Sequence, residues 1–480
     1  MYTRGMKSLR VLLCASVSLW FHTPSIPAED WPQFRGPGGL AVSKSAHPPI
    51  VFSPTTNVLW KVALPSGNSS PIVTGQKIFL TDVSDGHLET ICIDRKDGRI
   101  LWRRAAPSEK LESTHRLGSP ATPTPVTDGT NVYTFFGSFG VIAYDLDGKE
   151  LWRQPIAAPV VEFGTSASPI LIDNKLILLC DQDLGSFIEA LDKKTGRTIW
   201  RTERPEFRRS FATPFHWIHS KDEELIVPGS IWLTSYDPLT GKENWRYTGT
   251  SRVATSSPTA GEEMLFSASW NVGGDEDSRI SMPAFAEFAS HYDKNKDSKL
   301  SKEELPDGPV KERFTQMDLD KDGLVTPEEW ANMADMFAKA GNAVLAIHPG
   351  GSGEITKTHL AWKSTRSLPY VSSPVYFKGR LFTVKNGGLV SAYDVKNGHP
   401  IYQDERLNAP GDYYASAVAA DNRVYFTSQN GIVTVIAALD GSPTILAQNK
   451  LGEQTMATPA LLENTILIRT ATTLYNFGAK

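Results

Sequence analysis

The chain has 480 residues, of which 40% are hydrophobic and 21% are charged. This length exceeds that of one ordinary domain, so we expect either several domains or one large repeat architecture with an ample core. The formal net charge of −4 argues against nucleic acid and against an anionic lipid surface as the main partner, because both attract basic proteins.

The N-terminus carries the pattern of an export signal. Three basic residues, Arg4, Lys7 and Arg10, precede the apolar run VLLCASVSLWF, and the small residue Ala28 closes the segment. This pattern is typical of a secretory signal peptide, and the run is too short to span a bilayer. We therefore expect residues 1–28 to be removed after export, no membrane span, and a monomeric protein in the periplasm or outside the cell. Cleavage takes the net charge from −4 to −7, because it removes three basic residues and no acidic one.

A Ser/Thr/Ala–Pro step followed by an apolar strand recurs along the chain. The prolines of these steps are Pro71, Pro123, Pro169, Pro214, Pro258, Pro374 and Pro459, and Ala417 takes the place of an eighth. The steps are about 45 residues apart, except for a fifth unit of about 116 residues, and periods of this size mark solenoids and propellers. Strand patterns broken by Gly predict four short strands per unit, as in a propeller blade.

Several units end in a turn with Asp and Gly, followed by a strand with Trp. The fullest copy is ALDKKTGRTIW, which ends at Trp200, and similar segments end at Trp102, Trp152 and Trp245. Asp and Gly suit a tight turn, while Trp offers a large apolar plate for the seam between neighbouring blades. These segments resemble the A-x-D-x-x-T-G-x-x-x-W motif of the PQQ-like, quinoprotein-type β-propellers, which include BamB-like bacterial proteins. The resemblance covers residues 30–480 outside one acidic insert.

This resemblance implies an all-β, eight-bladed β-propeller of four-stranded antiparallel blades. The eighth unit runs out at TTLYNFGAK without a Trp strand, whereas the strand around Trp60 has no preceding blade. We therefore expect the N-terminal strand to complete the last blade, which removes the free edges of an open sheet. The segment WPQFRGPGG, residues 31–39, is similar to the start of many exported propellers, and we expect it to be packed against the blades.

The overlong fifth unit holds two copies of an acidic twelve-residue pattern. Positions 1, 3, 5, 7 and 12 of the first copy are Asp293, Asn295, Asp297, Lys299 through its carbonyl, and Glu304, while those of the second are Asp318, Asp320, Asp322, Leu324 through its carbonyl, and Glu329. This is the spacing of EF-hand loops, whose oxygen ligands surround one Ca²⁺ ion. Helical patterns flank the loops, and Leu300 and Val325 at position 8 are expected to form a short β-bridge. We therefore predict an EF-hand pair with two Ca²⁺ sites, inserted into blade five.

The insert divides the propeller in the sequence. We expect the first part of the propeller at residues 29–274, the EF-hand pair at residues 275–341, and the rest of the propeller at residues 342–480. The second loop is predicted to bind Ca²⁺ more tightly, because the first has Ser298 where Gly normally supplies a left-handed turn and has one ligand carboxylate fewer. We favour a structural role for Ca²⁺ over a switch, since extracellular modules bind the ion weakly.

Loops that enter the innermost strands are expected to line the mouth of the propeller channel. Their polar residues are Asn68, His115, Arg116, Glu162, Arg208, Arg209, Arg252, Tyr370, Asp412, Tyr413, Tyr414 and Gln454. A set rich in Arg and Tyr could bind an anionic ligand, a sugar chain or a peptide. We therefore expect an envelope protein, a polysaccharide or a small ligand as the partner of this mouth.

The resemblance raises the question of enzymatic activity. PQQ-dependent dehydrogenases of this type hold their quinone with an axial Ca²⁺, use a carboxylate as base, and place a vicinal Cys–Cys disulfide against the cofactor. This chain has no adjacent cysteines, and Cys92 and Cys180 lie in different repeats, where we expect buried free thiols. The predicted Ca²⁺ loops belong to the insert and not to the axis. PQQ is therefore not expected, and no catalytic residue is assigned.

Three functions remain as hypotheses. We favour a non-catalytic, Ca²⁺-binding exported propeller that acts as an interaction scaffold. The alternatives are a quinoprotein oxidoreductase and a BamB-like factor for outer-membrane protein assembly, which would use propeller edges to bind partner strands. BamB-like relatives are lipoproteins, whereas Leu13 precedes Cys14 here, in place of the small residue of a lipoprotein signal.

Overall fold

The computed structural model describes residue 1 and residues 30–479. The predicted signal peptide falls on the segment 2–29, outside the described residues. The described chain forms an eight-bladed β-propeller of antiparallel sheets with a small helical insert in the fifth blade, which confirms the predicted fold. Within this described part, no helix is long and apolar enough to cross a membrane.

The first strands follow the repeat in chain order. A short 3₁₀ helix (Pro37–Gly39) precedes β1 (Val58–Ala63). Blade 1 contains β2 (Ile72–Thr74), β3 (Lys77–Ser84), β4 (His87–Asp94) and β5 (Ile100–Ala105). Blade 2 contains β6 (Val126–Thr127), β7 (Asn131–Phe136), β8 (Gly140–Asp145) and β9 (Glu150–Pro155). Blade 3 contains β10 (Ile170–Ile172), β11 (Lys175–Cys180), β12 (Phe187–Asp192) and β13 (Thr198–Glu203), and blade 4 contains β14 (Phe215–Ile218), β15 (Glu223–Gly229), β16 (Trp232–Tyr236) and β17 (Glu243–Thr248).

Blade 5 is interrupted after its second strand. It begins with β18 (Thr259–Gly261) and β19 (Met264–Ser269). The insert contains α1 (Phe285–Tyr292), β20 (Leu300–Ser301), α2 (Pro309–Glu312), α3 (Phe314–Met317), β21 (Leu324–Val325) and α4 (Pro327–Lys339). The chain then returns through β22 (Ala343–Ile347), β23 (Gly353–Glu354) and β24 (Leu360–Ser364), of which β22 and β24 complete blade 5.

The remaining strands are regular. Blade 6 contains β25 (Val375–Phe377), β26 (Arg380–Lys385), β27 (Leu389–Asp394) and β28 (Pro400–Arg406). Blade 7 contains β29 (Val418–Ala420), β30 (Arg423–Thr427), β31 (Ile432–Ala437) and β32 (Ile445–Lys450). Blade 8 takes β33 (Ala460–Leu462), β34 (Thr465–Arg469) and β35 (Thr473–Gly478) from the end of the chain and β1 as its fourth strand, so the predicted closure is confirmed.

Five seams between blades share one arrangement of Trp and Gly. The indole N–H of Trp152 in blade 2 donates to the carbonyl of Lys193 in blade 3 at 3.0 Å. A Cβ on Gly196 of the same turn would lie 2.6 Å from this indole ring, and Gly196 has φ +71°. The equivalent pairs are Trp60 with Gly98, Trp102 with Gly148, Trp200 with Gly241, and Trp362 with Gly398. The motif glycine is therefore required both by its own turn and by the neighbouring Trp.

Blade 4 departs from this arrangement because the following turn of blade 5 lacks the motif. The indole N–H of Trp245 donates to the carboxylate of Glu224 in its own blade. The outer strand β17 is also paired, in parallel, with β23 from the blade 5 turn. The chain thus covers with its own backbone the one outer edge whose Trp has no neighbouring Gly turn to contact.

Both cysteines of the described chain are buried and unpaired, as predicted. Cys92 lies in β4 and Cys180 ends β11. Burial raises the pKa of the Cys92 thiol to about 12 and raises that of Cys180 further. Both therefore stay protonated near neutral pH and pack as small apolar side chains.

Candidate functional site

The insert is attached at two neighbouring points of one sheet. It leaves blade 5 after Ser269 and returns at Ala343, and these two residues are paired across β19 and β22. Its own core centres on the buried Trp330, whose ring is tilted against that of Phe288 at 4.6 Å between ring centroids. The indole N–H of Trp330 donates to the carbonyl of Pro283. The insert is therefore a compact helical unit fixed at both ends to the same blade.

The two acidic loops lie side by side. Strands β20 and β21 pair Leu300 with Val325 and Ser301 with Leu324. The predicted contact at position 8 of the loops is thus present. Such a bridge couples the backbones of the two loops, as in a paired EF-hand.

The second loop brings together the carboxylates predicted from the sequence. Carboxylate oxygens of Asp318, Asp320 and Asp322 all lie within 4.8 Å of one another. Glu329 accepts hydrogen bonds from the amides of Leu319 and Thr326, both at 2.8 Å, which holds its two oxygens at the end of the loop. A cluster of oxygen ligands at this separation matches the needs of a hard divalent cation.

The first loop repeats this geometry with a different sixth residue. Glu304 accepts from the amides of Lys294 at 3.0 Å and Ser301 at 2.8 Å, the same loop positions as in the second copy. At position 6, Ser298 has φ +63° where Gly323 has φ +87°. A serine in the left-handed region carries a backbone cost that glycine does not.

One carboxylate oxygen of Asp318, in the second loop, lacks a hydrogen-bond partner among the described residues. This oxygen, Oδ1, is buried. Burial, together with the nearby carboxylates of Glu329 and Asp322, raises the pKa of Asp318. The ammonium of Lys299 in the first loop lies 3.8 Å from Asp322. A bound cation would satisfy the Asp318 oxygen and offset the mutual repulsion of these carboxylates.

A second feature lies on the propeller axis, where eight hydroxyl groups form a closed ring. Each belongs to the residue before the Pro, or before Ala417, that opens an innermost strand. The backbone N–H of each ring residue donates to the hydroxyl of the next blade at 2.9–3.3 Å, in the order Ser70, Thr124, Ser168, Thr213, Ser257, Ser373, Ser416, Thr458 and back to Ser70. We call these eight residues the hydroxyl ring.

The hydroxyl ring explains the Ser/Thr–Pro repeat and corrects one of its positions. A backbone N–H at the entry to an inner strand has no strand partner and would be costly if left unpaired. The second unit contributes Thr124 before Pro125, so the step predicted at Pro123 is wrong by two residues. The segment ATPTPV holds two Thr–Pro steps, and only the register across blades distinguishes them.

One end of the channel is closed by residues 30–47, which we call the floor segment. Trp31 pairs with Val73 in blade 1, and Ala41 accepts from the amide of Ala419 in blade 7. The Arg35 guanidinium donates to the carbonyls of Ser257, Pro258 and Pro374 in blades 5 and 6. As expected, the WPQFRGPGG stretch is packed against the blades.

Arg35 is a fully buried cation beneath the ring. No carboxylate in the described part of the chain forms an ion pair with it, and burial lowers its pKa to about 9. Its two terminal nitrogens donate to backbone carbonyls instead, while its buried Nε has no hydrogen-bond partner among the described residues. Arg35 therefore ties blades 5 and 6 to the floor segment.

The ring and the floor segment enclose an axial cavity of about 340 Å³ that opens at the other end. All eight ring residues line it, Phe34 reaches it from the floor segment, and Phe163, Phe211, Tyr370 and Tyr414 line it nearer the mouth. Among the described residues, none of its lining side chains is Asp, Glu, Lys or Arg. We call this space the axial cavity.

The predicted mouth residues separate into two groups. Asn68, His115, Tyr370 and Tyr414 line the axial cavity, whereas Arg116, Glu162, Arg208, Arg209, Arg252, Asp412 and Gln454 do not. Tyr413 is a correction: it is buried in the core with its hydroxyl donating to the Ala409 carbonyl at 2.8 Å, and its neighbour Tyr414 faces the cavity.

The arginines expected at the mouth are engaged elsewhere on the rim. Arg209 pairs with Asp183 and with Glu162, the latter at 2.7 Å. The Arg252 guanidinium lies 5.0 Å from the ring of Phe337 in α4. Burial and the nearby Arg313 lower the pKa of Arg252 to about 10. Arg252 therefore contacts the insert, whereas the ion pairs of Arg209 stay within the propeller.

The root of the insert touches the wall of the cavity. The Asn342 side chain accepts from the amide of Asn271 at 2.9 Å and donates to its carbonyl at 2.8 Å. It also donates to Asp275 at 2.9 Å. Asn271 lines the axial cavity, and its own Oδ1 is buried without a partner among the described residues. Hydrogen bonds between Asn342 and Asn271 therefore link the root of the insert directly to the wall of the axial cavity.

The axial cavity does not fit the quinone site that the fold resemblance implies. That site needs an axial cation, carboxylate ligands and a carboxylate base, and the described lining supplies no carboxylate. Glu112 lies behind the wall, where it accepts from the amide and hydroxyl of Thr165 at 3.0 and 2.9 Å. The two described cysteines are in separate blades. The residues present therefore do not form a holder for PQQ and its metal.

Sequence reasoning missed the hydroxyl ring, Phe34 and the aromatic residues Phe163 and Phe211 as cavity residues. A usable signal was present, because the residue before the strand-opening Pro, or before Ala417 in the seventh unit, carries a hydroxyl in every unit. Its meaning required knowledge of which blades are adjacent and of which end of each strand faces the axis.

Comparisons with known structures support the fold. BamB from Moraxella catarrhalis matches with a TM-score of 0.55 and 12% identity, covering 88% of this chain and 98% of that one. A europium-containing methanol dehydrogenase matches with a TM-score of 0.57 and 10% identity, covering 94% and 98%. Quinohemoprotein alcohol dehydrogenase from Comamonas testosteroni matches with a TM-score of 0.54 and 14% identity, covering 94% and 80%. At these identities the likeness establishes the architecture alone.

Comparisons of sequence give the family. No curated protein sequence matches this chain significantly. The EF-hand family profile matches residues 310–334, which contain the second loop. The family profile described as outer membrane protein assembly factor BamB matches residues 36–182, 184–282 and 335–473, on both sides of the insert. Because these matches cover most of the chain, the protein belongs to this BamB-like family of PQQ-type β-propellers.

Proposed function

We propose that the protein is an exported, Ca²⁺-binding propeller that acts as a non-catalytic binding scaffold. The observation that carries the proposal is the ligand geometry of the second loop, with three aspartates clustered within 4.8 Å and a buried, unpartnered Asp318 oxygen. Export is supported by the N-terminal sequence pattern. The matching loop geometry of Asp293, Asn295, Asp297 and Glu304 supports a second Ca²⁺ site in the first loop.

The second loop is proposed as the stronger site. It provides four ligand carboxylates against three in the first loop, and it has Gly323 at the left-handed position. Four lysines surround the first loop, namely Lys294, Lys296, Lys299 and Lys302. Their positive potential opposes cation binding, and the Ser298 backbone adds a conformational cost.

Calcium is proposed to act as a structural staple of the insert. Both ends of the insert arise from paired residues, Ser269 and Ala343, so a change in the helices cannot separate its attachment points without breaking blade 5. Asn342 further fixes the returning end to Asn271. The ion would then stabilise one arrangement of the helices rather than drive a movement of blades.

The test is calorimetry on the full mature chain with Asp318→Ala and Asp293→Ala. Asp318→Ala is expected to remove the tighter Ca²⁺ event, while Asp293→Ala removes the weaker one. Asp277→Ala, an exposed acidic residue of the insert outside both loops, is the control and should leave both events unchanged. Equal heats of Ca²⁺ binding in wild type and Asp318→Ala would contradict the Ca²⁺ assignment.

A second experiment tests the non-catalytic part of the proposal. PQQ, Ca²⁺ and an electron-acceptor dye are added to the protein, and reduction of the dye by an alcohol would overturn it.

A second candidate function is protein assembly in the outer membrane, and the family match favours it. Seven of the eight blades have an outer strand without a fifth strand beside it in the described sheets, and such edges can accept a strand from a partner. Crosslinking in the native envelope tests this function. A specific crosslink from outer strands to a membrane-inserted β-protein would support it, and its absence would leave the scaffold without that role.

A further inference from the structure

The hydroxyl ring presents unused hydrogen-bond donors to the axial cavity. Each ring hydroxyl accepts one backbone N–H, and within the described chain none of the eight donates its own proton to a protein acceptor. All eight residues are at most 6% exposed. A hydroxyl of this kind can donate one hydrogen bond and accept a further one. The ring therefore offers the cavity eight hydroxyl groups whose protons have no acceptor among the described residues.

Apolar faces lie above and below these groups. Phe34 closes the bottom, and Phe163, Phe211, Tyr370 and Tyr414 surround the mouth side. Aromatic faces pack against apolar C–H surfaces, while the hydroxyls bind polar edges. A ligand that fits must therefore combine many hydroxyl groups with an apolar face.

The charges around the cavity favour an uncharged ligand. The described lining contains no acidic or basic side chain other than His115. Arg35 lies behind the ring, where its guanidinium donates to backbone carbonyls. A charged ligand would lose its hydration without gaining a direct ion pair, which is costly.

The size of the cavity limits the ligand. Its volume of about 340 Å³ is at the lower end of ordinary ligand pockets, which span roughly 300–1,000 Å³. The floor segment makes it a blind pocket with one opening. A chain passing through the propeller is thereby excluded, and one or two sugar units are accommodated.

We propose that the axial cavity binds an uncharged, polyhydroxylated ligand of mono- or disaccharide size, held by the hydroxyl ring and stacked on the aromatic wall. The inference rests on the proposed function in one respect: it treats the propeller as a binding protein. The proposal adds a ligand class and a binding site in the axial cavity, neither of which follows from the Ca²⁺ loops. The ligand is bound without covalent change.

The test uses the full mature chain with Ca²⁺ and isothermal calorimetry. The probes are glucose and trehalose, with gluconate as a charged counterpart of glucose. Ser166→Phe fills the cavity from its wall without removing a described hydrogen bond, since Ser166 lines the cavity outside the ring. Ser442→Phe, at an exposed turn of blade 7, is the matched control. Tyr414→Ala removes one aromatic wall residue and serves as a second variant, and circular dichroism verifies that each variant is folded.

We expect at least one of the two sugars to bind, with affinity reduced at least about tenfold in Ser166→Phe and in Tyr414→Ala and unchanged in Ser442→Phe. The proposal is overturned if neither sugar binds at up to roughly 10 mM, if gluconate binds more tightly than glucose, or if the folded Ser166→Phe variant binds as wild type does. Failure of the proposed function appears separately, as loss of the Ca²⁺ heats or as dye reduction, so the two outcomes are distinguishable.

Discussion

The backbone N–H of Thr458 donates to the hydroxyl of Ser70 at 3.0 Å, across 388 positions of sequence. This bond joins the last unit to the first and completes the hydroxyl ring. A second closing contact lies within blade 8, where Trp60 in the N-terminal strand β1 pairs with Asn476 in the C-terminal strand β35. The propeller is therefore closed at its inner and outer radius by two independent hydrogen-bonded contacts.

Loss of the Ser70 hydroxyl should weaken this closure. Ser70→Ala leaves the buried Thr458 N–H without an acceptor, which costs about 1–3 kcal/mol. Ser70→Thr retains the acceptor and serves as the control, because Thr occupies equivalent ring positions elsewhere. Urea unfolding monitored by Trp fluorescence checks the difference, and equal midpoints for Ser70→Ala and wild type would contradict a structural role for the ring.

The Trp–Gly seams provide a second test with an internal control. Gly196→Ala places a Cβ 2.6 Å from the Trp152 ring and forces Ala into φ +71°. Gly185→Ala forces Ala into a similar φ of +75°, but its nearest neighbouring atom lies 3.8 Å away. Both variants carry the backbone cost of about 1–2 kcal/mol. We expect the free energy of unfolding of Gly196→Ala to fall by roughly a further 1–3 kcal/mol, because the added methyl group overpacks the seam. Thermal unfolding of the two variants side by side measures this difference; similar losses would show that the seam tolerates a methyl group.

The sixth loop position should control the balance of the two Ca²⁺ sites. Ser298→Gly removes the backbone cost of a serine in the left-handed conformation, roughly 1 kcal/mol. Because only the ion-bound loop is held firmly in that conformation, the Ca²⁺ affinity of the first loop should rise about fivefold. The reciprocal change, Gly323→Ser, should weaken the second loop by a similar factor. Calorimetry at low salt resolves the two events. An unchanged first event in Ser298→Gly would indicate that the empty loop is already rigid.

Asp82 should give stability an identifiable pH dependence. It is fully buried, Arg103 donates to it at 3.1 Å, and burial raises its pKa to about 6 despite the attraction of Arg103 and Arg469. Because its pKa is higher in the folded than in the unfolded chain, the folded state binds more protons between about pH 4 and 6. This group therefore adds stability as the pH falls through 6, by at most roughly 3 kcal/mol, and the gain is absent at neutral pH.

The measurement for Asp82 is a difference between two proteins. Urea midpoints of wild type and Asp82→Asn are compared from pH 7 to pH 4, where other groups titrate equally in both. Wild type should gain stability relative to Asp82→Asn on acidification over this range. A constant difference, or one that moves the other way, would show that Asp82 is ionised in the folded protein throughout.

The parts of the fold that depend on local spacing were predictable. The Asp–Gly–Trp turn, the twelve-residue loops and the repeat period are each contained within a short stretch of chain, so they predicted the blades, the EF-hand pair and the closure by β1. The strand around Trp60 indicated the closure, because it precedes the first repeat unit and therefore had no blade of its own.

The parts that depend on neighbouring blades were not predictable in the same way. The Thr–Pro step of the second unit could be placed at Pro123 or Pro125, and only the bonds of Thr124 to both adjacent blades decide it. Tyr413 and Tyr414 are adjacent in an irregular loop, where no alternation indicates which side chain faces the axis. The mouth arginines satisfied the expectation of polar loops, yet Arg209 forms ion pairs on the rim and Arg252 contacts the insert.

The floor segment has a consequence for the order of folding events. Trp31, Arg35 and Ala41 contact blades that are made from residues as far along the chain as Ala419. This stretch is therefore synthesised before the blades that it contacts, and it reaches its final position only after most of these blades have been synthesised. Translation products that stop early would leave it unplaced together with an open seam, so they should be cleared by proteases rather than persist as smaller propellers.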